Sequence, residues 1–281
     1  MARRAAVVLL LALMPAAARA QQRPALTEDP QPTSAGHILA DTGLEFGHDV
    51  FFPASGLRGD LWTLADSSVR IGVSSIAELQ VEGIVWKTLT ISSRQPAPLA
   101  PAVESTGSCT GGGGDVAVAT KIRVMAESGR RPALGVRFAT KLPVASDGSG
   151  LSLDTTDFYA SVLIGRTVRG VRIAGNLGLG ILADPTRADR QNDVLTYGLS
   201  LTHAVRPSAS LVADINGRVS VRSSADTPVG TETGGTVRAG ARFALRKGFV
   251  DAAVVLGLMD PDPDIGVSVG YSILFPAFRA P

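Results

Sequence analysis

Residues 268–275 read SVGYSILF, and the chain alternates through them with almost no exception. Val269, Tyr271, Ile273 and Phe275 fall on one parity, while Ser268, Gly270, Ser272 and Leu274 fall on the other. Successive side chains of a strand point to opposite faces, so this period of two predicts a ribbon with one greasy side and one small, mostly polar side. The greasy side must meet either a protein core or lipid, and the remainder of the chain has to decide between them.

The same alternation returns along the chain. In 170–182, Val171, Ile173, Leu177, Leu179 and Ile181 oppose Arg172, Ala174, Asn176, Gly178 and Gly180. In 209–222, Leu211, Ala213, Ile215, Val219 and Val221 oppose Asp214, Asn216, Arg218, Ser220 and Arg222. Strands are expected at 38–51, 60–73, 77–90, 115–126, 133–142, 155–166, 170–182, 194–205, 209–222, 236–246, 249–258 and 265–275. That is an even number, twelve, as in bacterial outer-membrane barrels. Charges on the greasy parity are confined to strand ends, at Lys87 and Arg166. A basic residue facing lipid costs about 2–4 kcal/mol at the bilayer midplane and little at the interface, which accounts for that placement.

Connection lengths point the same way. Short ones near 74–76, 128–131, 167–169, 206–208 and 246–248 interleave with longer ones at 52–59, 92–114, 143–154, 183–193, 222–235 and 259–264. Membrane barrels sort their loops so, with short periplasmic turns and longer outer loops. A soluble sandwich would explain the parity but not the sorting. Aromatic residues for two boundary girdles are few: Phe51, Phe52, Trp86, Phe158, Tyr197, Phe249, Tyr271 and Phe275.

The start, MARRAAVVLLLALMPAAARA, has a basic n-region at Arg3 and Arg4, a short apolar run and a small-x-small site ending at Ala20. It reads as a secretory signal at 1–20, too short to span a bilayer. Residues 21–35, QQRPALTEDPQPTSA, read as a flexible leader rich in proline and glutamine. A single barrel domain is expected over 36–275, with a short tail at 276–281. Cys109 is the only cysteine and lies in an apparent glycine-rich loop, so no internal disulfide is available. A net charge of +2 gives no field to attract nucleic acid.

Ser268-x-Gly270-x-x-Ile273-x-Phe275 resembles the C-terminal signal by which the barrel-assembly machinery recognises its clients. The phrases GDVAVATKIRV, ALGVRFATKLPVAS, LDTTDFYASVLIG, VRIAGNLGLGIL and LTYGLSLTHAV, with the earlier SVRIGVSSIAELQV, are similar to the outer-membrane family of the meta-pathway of phenol degradation type. That resemblance covers most of 59–205. It implies an exported barrel of the bacterial outer membrane, surrounded by lipid, that transports small and often aromatic compounds.

If the polar parity faces a lumen, its charges can be mapped. Glu45, Asp49, Glu78 and Glu82 stand on the first three strands. Lys121, Arg123, Arg137, Lys141, Arg172, Arg218, Arg222, Arg238 and Arg242 stand on the following ones, with Asp214 as a minority acid. The expected function is a channel for small solutes, favouring anions through its basic excess. The alternative is a barrel laced shut by its own ion pairs, with a structural or surface-interaction duty carried by loop 92–114.

No enzyme, cofactor or metal is expected. His37, His48 and His203 lack the H-x-S spacing of outer-membrane lipid hydrolases, and the ligand types needed for a metal are scattered. GNLGLG lies inside an alternating strand, where its glycines relieve crowding rather than cradle a phosphate.

Overall fold

Alternating strands that share one greasy side can satisfy every backbone group in lipid only by closing on themselves, and here they close. A computed structural model describes residues 23–223 and 225–279, so the expected signal at 1–20 lies outside the described residues. The strands are β1 His37–Phe52, β2 Leu57–Gly72, β3 Ala77–Arg94, β4 Cys109–Gly112, β5 Val116–Met125, β6 Ala133–Leu142 and β7 Asp157–Val168. There follow β8 Val171–Ala183, β9 Gln191–Arg206, β10 Ala209–Ser220, β11 Gly234–Ala244, β12 Phe249–Gly257 and β13 Ile265–Pro276. Leaving aside β4, these form a closed antiparallel ring of twelve strands, a transmembrane β-barrel. The closing seam pairs β1 with β13 from His37↔Pro276 to His48↔Ile265, so the SVGYSILF stretch is the last stave.

The outward parity is apolar and uncovered. Val162 on β7 is 58% exposed and Leu179 on β8 is 61% exposed, with Leu177, Leu199, Val267 and Val269 alongside them. A continuous belt of this kind would aggregate in water and is matched only by hydrocarbon. The inward parity alternates with it: Asp157, Leu163, Ala174, Asn192, Ser200, Asp214, Asp251 and Ser268 are buried.

The small strand β4 was not expected. The loop read at 92–114 turns back so that Cys109–Gly112 pairs with Thr90–Lys87 of β3, which places the free Cys109 on a strand rather than in a slack loop. The connection expected at 52–59 is also shorter, because β1 runs to Phe52 and β2 starts at Leu57. Gly56 makes that turn at φ 72, where an added side chain would strike the carbonyl of Gln95. Connections at one end are then two to seven residues long, and those at the other range from four to twenty-one, the longest carrying β4. The first and last staves begin and end at the short-turn end, where Ala277 donates its amide to the Gly36 carbonyl at 2.9 Å.

Two bulges change which side chains point inward. Asp49 (φ 55) and Ala65 (φ 49) occupy the left-handed region at breaks in the β1–β2 register. A bulge inserts one residue and so flips the parity of everything beyond it. Val85 and Trp86 of β3, adjacent in sequence and level with Ala65, are both exposed. Beyond that point Lys87 and Leu89 turn inward, so Lys87 leaves the greasy face to which simple parity assigns it. Phe52 likewise leaves the expected girdle and packs with Leu57, Leu89 and Leu151 in an apolar cluster under the long loops. Phe51 lies beneath the Arg58 guanidinium, 4.6 Å from its ring centroid, instead of facing lipid.

Candidate functional site

The leader read as flexible is instead folded into the barrel. Arg23, Thr27, Glu28, Asp29 and Thr33 are all buried. Its proline-rich composition supports an extended path without internal backbone-to-backbone hydrogen bonds, and the polar inner wall supplies most of the bonds the segment does not make to itself. Glu28 donates its amide to Asn176 Oδ1 at 2.7 Å, and Asn176 Nδ2 returns a bond to the Glu28 carbonyl at 2.6 Å. Thr27 donates its amide to Asp214 Oδ2 at 3.1 Å, and the amide of Thr33 bonds Glu78. Gln31 accepts from Arg123 Nη1 at 2.6 Å.

Charged side chains reinforce these backbone contacts. The Glu28 carboxylate lies 2.8 Å from Lys121 Nζ and 3.3 Å from Arg70 Nη2; Lys121 also reaches Glu78 at 3.1 Å. Asp29 takes a two-pronged grip from Arg172 at 2.6 and 2.7 Å. Arg23 pairs with Asp66 at 2.8 Å and lies 3.8 Å from Asp251. Burial alone would raise the pKa of Glu28. Lys121, Arg70 and Arg137 outweigh that and hold the carboxyl well below the usual carboxylate range. Glu78 and Arg172 are the second residues of β3 and β8, whereas Asn176, Gly198 and Asp214 lie midway along β8, β9 and β10, so the segment runs from the short-turn end to the middle of the barrel.

Glycines on the inner wall make room for it. A Cβ on Gly198 would lie 2.6 Å from Thr27 Oγ1, and one on Gly165 would lie 2.9 Å from Pro30 Cδ. Gly198→Val should therefore expel the segment. In a Cys109→Ser background carrying Thr27→Cys, a water-soluble maleimide should label position 27 about tenfold faster once Gly198→Val is added, because Thr27 is otherwise only 2% exposed. Equal labelling rates would show that the wall does not seat the segment there.

The other expected residues find partners of several kinds. Arg137 pairs with Glu82 at 3.0 Å, Lys141 with Asp157 at 2.8 Å and Arg238 with Glu45 at 2.7 Å. Asp49, displaced to the rim by its bulge, pairs with Arg58 rather than with a cation among those expected opposite it. Arg218 bonds the carbonyls of Glu232 and Gly230, Arg222 bonds Asn192 Oδ1, and Arg242 sits 5.3 Å over the Phe249 ring. In the assembly motif Ser268 is buried, while Phe275 is exposed at the short-turn end. His37 and His203 bond backbone carbonyls, and His48 bonds the Asp60 carboxylate at 2.7 Å.

Residues missing from the expected set include Arg23, Glu28, Asp29, Asp41, Arg70, Gln80, Asn176 and Asp251. Asn176 already stood on the polar parity, and Arg70 becomes legible once the phase shift at Ala65 is known. The segment's own acids carried no periodic signal.

Between the segment and the long loops the barrel holds a cavity of about 510 Å³. Leu26, Thr27 and Glu28 of the segment form its floor, and Arg137, Asn176, Arg218 and Arg238 contribute to its walls. Pro261 and Asp262 of the β12–β13 connection stand at its mouth.

The molecule thus belongs to the class of twelve-stranded membrane barrels, with its own N-terminal segment folded inside. No protein-family model matches the chain, and no curated protein matches it. It is similar in structure to an outer membrane channel from Pseudomonas putida F1, with a TM-score of 0.59 and 13% identity over 88% of this chain and 98% of that one. It is also similar to the translocator domain of the autotransporter NalP from Neisseria meningitidis, with a TM-score of 0.50 and 14% identity over 86% and 88% of the two chains. At this identity the likeness shows the shared fold.

Proposed function

We propose that the protein is a narrow channel of the bacterial outer membrane that passes small solutes, its long loops outside and its short turns in the periplasm. The observation that carries this reading is the 510 Å³ cavity bordered by Arg137, Arg218 and Arg238, open toward the long loops and floored by a separate strip of chain. Pockets of this size take small molecules. The floor is held by hydrogen bonds and ion pairs rather than by a packed apolar lock. Likeness in fold to an outer membrane channel supports the reading, as does the resemblance of the strand phrases to a family of small-molecule transporters. The barrel-assembly machinery is the expected partner for insertion through the C-terminal motif, and membrane lipid the surrounding solvent.

Reconstituted into liposomes, the protein should admit small anions and exclude solutes much larger than the cavity. Arg218 bonds two backbone carbonyls and carries its charge on the cavity wall. Arg218→Glu should therefore shift the reversal potential in a salt gradient toward cation preference by about 10 mV or more. No flux of any small solute would leave a plugged barrel with a structural or surface-binding role.

A further inference from the structure

Above the main cavity, and sharing Arg218 and Pro261 with it, lies a smaller one of about 300 Å³. Its lining joins an apolar side to a charged one. Phe51, Phe52, Pro53, Leu151 and Leu153 give it an apolar body, and two cations, Lys87 and Arg218, border it. Lys87 is present there only because the phase shift at Val85 and Trp86 turns it inward.

Among the described residues, neither cation has a carboxylate partner. The Lys87 ammonium makes one long contact, 3.4 Å to the Leu151 carbonyl, and Arg218 bonds the carbonyls of Glu232 and Gly230. Of the two acids on the same lining, Asp115 stands near enough to attract Lys87 but makes its bonds to other groups, and Glu232 is held by a backbone amide. Asp115 accepts from Ser152 Oγ at 2.9 Å and the Ala145 amide at 3.2 Å, and pairs with Lys141 at 3.5 Å. Glu232 accepts the Gly230 amide at 2.9 Å. Among the interior cations, Arg23, Arg70, Lys121, Arg137, Lys141, Arg172 and Arg238 each have a carboxylate within 4 Å, while Arg123 and Arg222 bond amide and carbonyl oxygens away from this cavity. A desolvated cation without a counter-charge is costly, and a bound anion removes that cost.

We infer that this mouth cavity is a binding site for a small carboxylate with an apolar body, its headgroup taken by Lys87 and Arg218 and its body by Phe51, Phe52, Leu151 and Leu153. The site rests on the channel reading and refines it: the ligand would be captured here and handed to the cavity below along Arg218, which borders both. Neutral apolar molecules would lack the charge partner, and acetate would lack the apolar contact.

The test uses the full chain in detergent, with hexanoate, hexanamide and acetate as probes in calorimetric titrations. Hexanoate should bind about tenfold or more tightly than either control, a difference of the size that a charge-assisted hydrogen bond supplies. Lys87→Met and Arg218→Gln should each remove that preference, with heat-modifiable gel mobility confirming that the variants are folded. Equal affinity for hexanoate and hexanamide, no hexanoate binding, or undiminished binding in both folded variants would overturn the site. Chloride conductance of the same preparation separates the two readings. Conductance without hexanoate binding removes this site and leaves the channel, whereas absence of both removes the channel as well.

Discussion

Deletion of residues 23–33 should raise the single-channel conductance about fivefold or more, because it removes the floor of a lumen already narrower than that of a general porin. The strip runs from the short-turn end to the middle of the barrel and meets β2, β3, β5, β8, β10 and β12. Ions passing from one mouth to the other must go around or displace it. The ring itself does not depend on the strip: the closing seam from His37↔Pro276 to His48↔Ile265 is made entirely between β1 and β13. Arg172 keeps Glu127 and Lys121 keeps Glu78 when the segment is gone. The deleted protein should therefore still show heat-modifiable mobility, and planar-bilayer recordings of the two forms give the comparison. A folded deletion variant with unchanged steps would show that current does not pass where the segment lies.

The second large effect is expected at Lys121. Its ammonium is completely buried and lies between Glu28 of the segment and Glu78 of the wall. Lys121→Met leaves those two carboxylates facing each other with Arg70 and Arg137 as the remaining nearby cations. Breaking a buried pair in this way costs about 3–5 kcal/mol, chiefly because a charge is left uncompensated. The variant should melt at markedly lower temperature in detergent and conduct like the deletion form. Adding Glu28→Gln to Lys121→Met should restore part of the stability, since the double change removes the stranded charge along with its partner. A single variant that melts with the wild type would show that the buried cluster is not what clasps the segment.

The pH dependence has a defined sign. With its carboxyl held below the usual range in the folded state, Glu28 contributes stability that is fully present above the ordinary glutamate pKa and is lost only as pH falls well below it. Mild acid should accordingly leave the segment in place.

The barrel was legible in sequence because its determinants are local. Alternation over a dozen residues sets each strand, and the cost of a charge in lipid sets which parity carries none. Loop lengths set the two ends, and the strand bounds agree with those read from periodicity to within a few residues for most staves. Where local reasoning put a side chain on the wrong face, a specific bulge was responsible. Lys87 and Phe52 were assigned to the wrong side because Ala65 and Asp49 shift the phase, and no residue at either place advertises a left-handed conformation as glycine would. The short strand β4 escaped because a glycine-rich run carries no alternation to read.

Composition also misled over the leader. Proline, glutamine and charge are the marks of a chain that cannot build a core of its own, and that remains true of residues 23–35. They are ordered because another part of the molecule supplies what they lack: an amide clamp at Asn176, a fork at Arg172 and clearance at Gly165 and Gly198. By itself the sequence determined a closed ring with a lipid-facing outside and a polar inside, since both follow from the order of side chains along each strand. Which charges meet inside, and what fills the space, was decided by the tertiary structure. Strand stagger and the path of the N-terminal segment bring together residues far apart in the chain, and no local pattern encodes those distances.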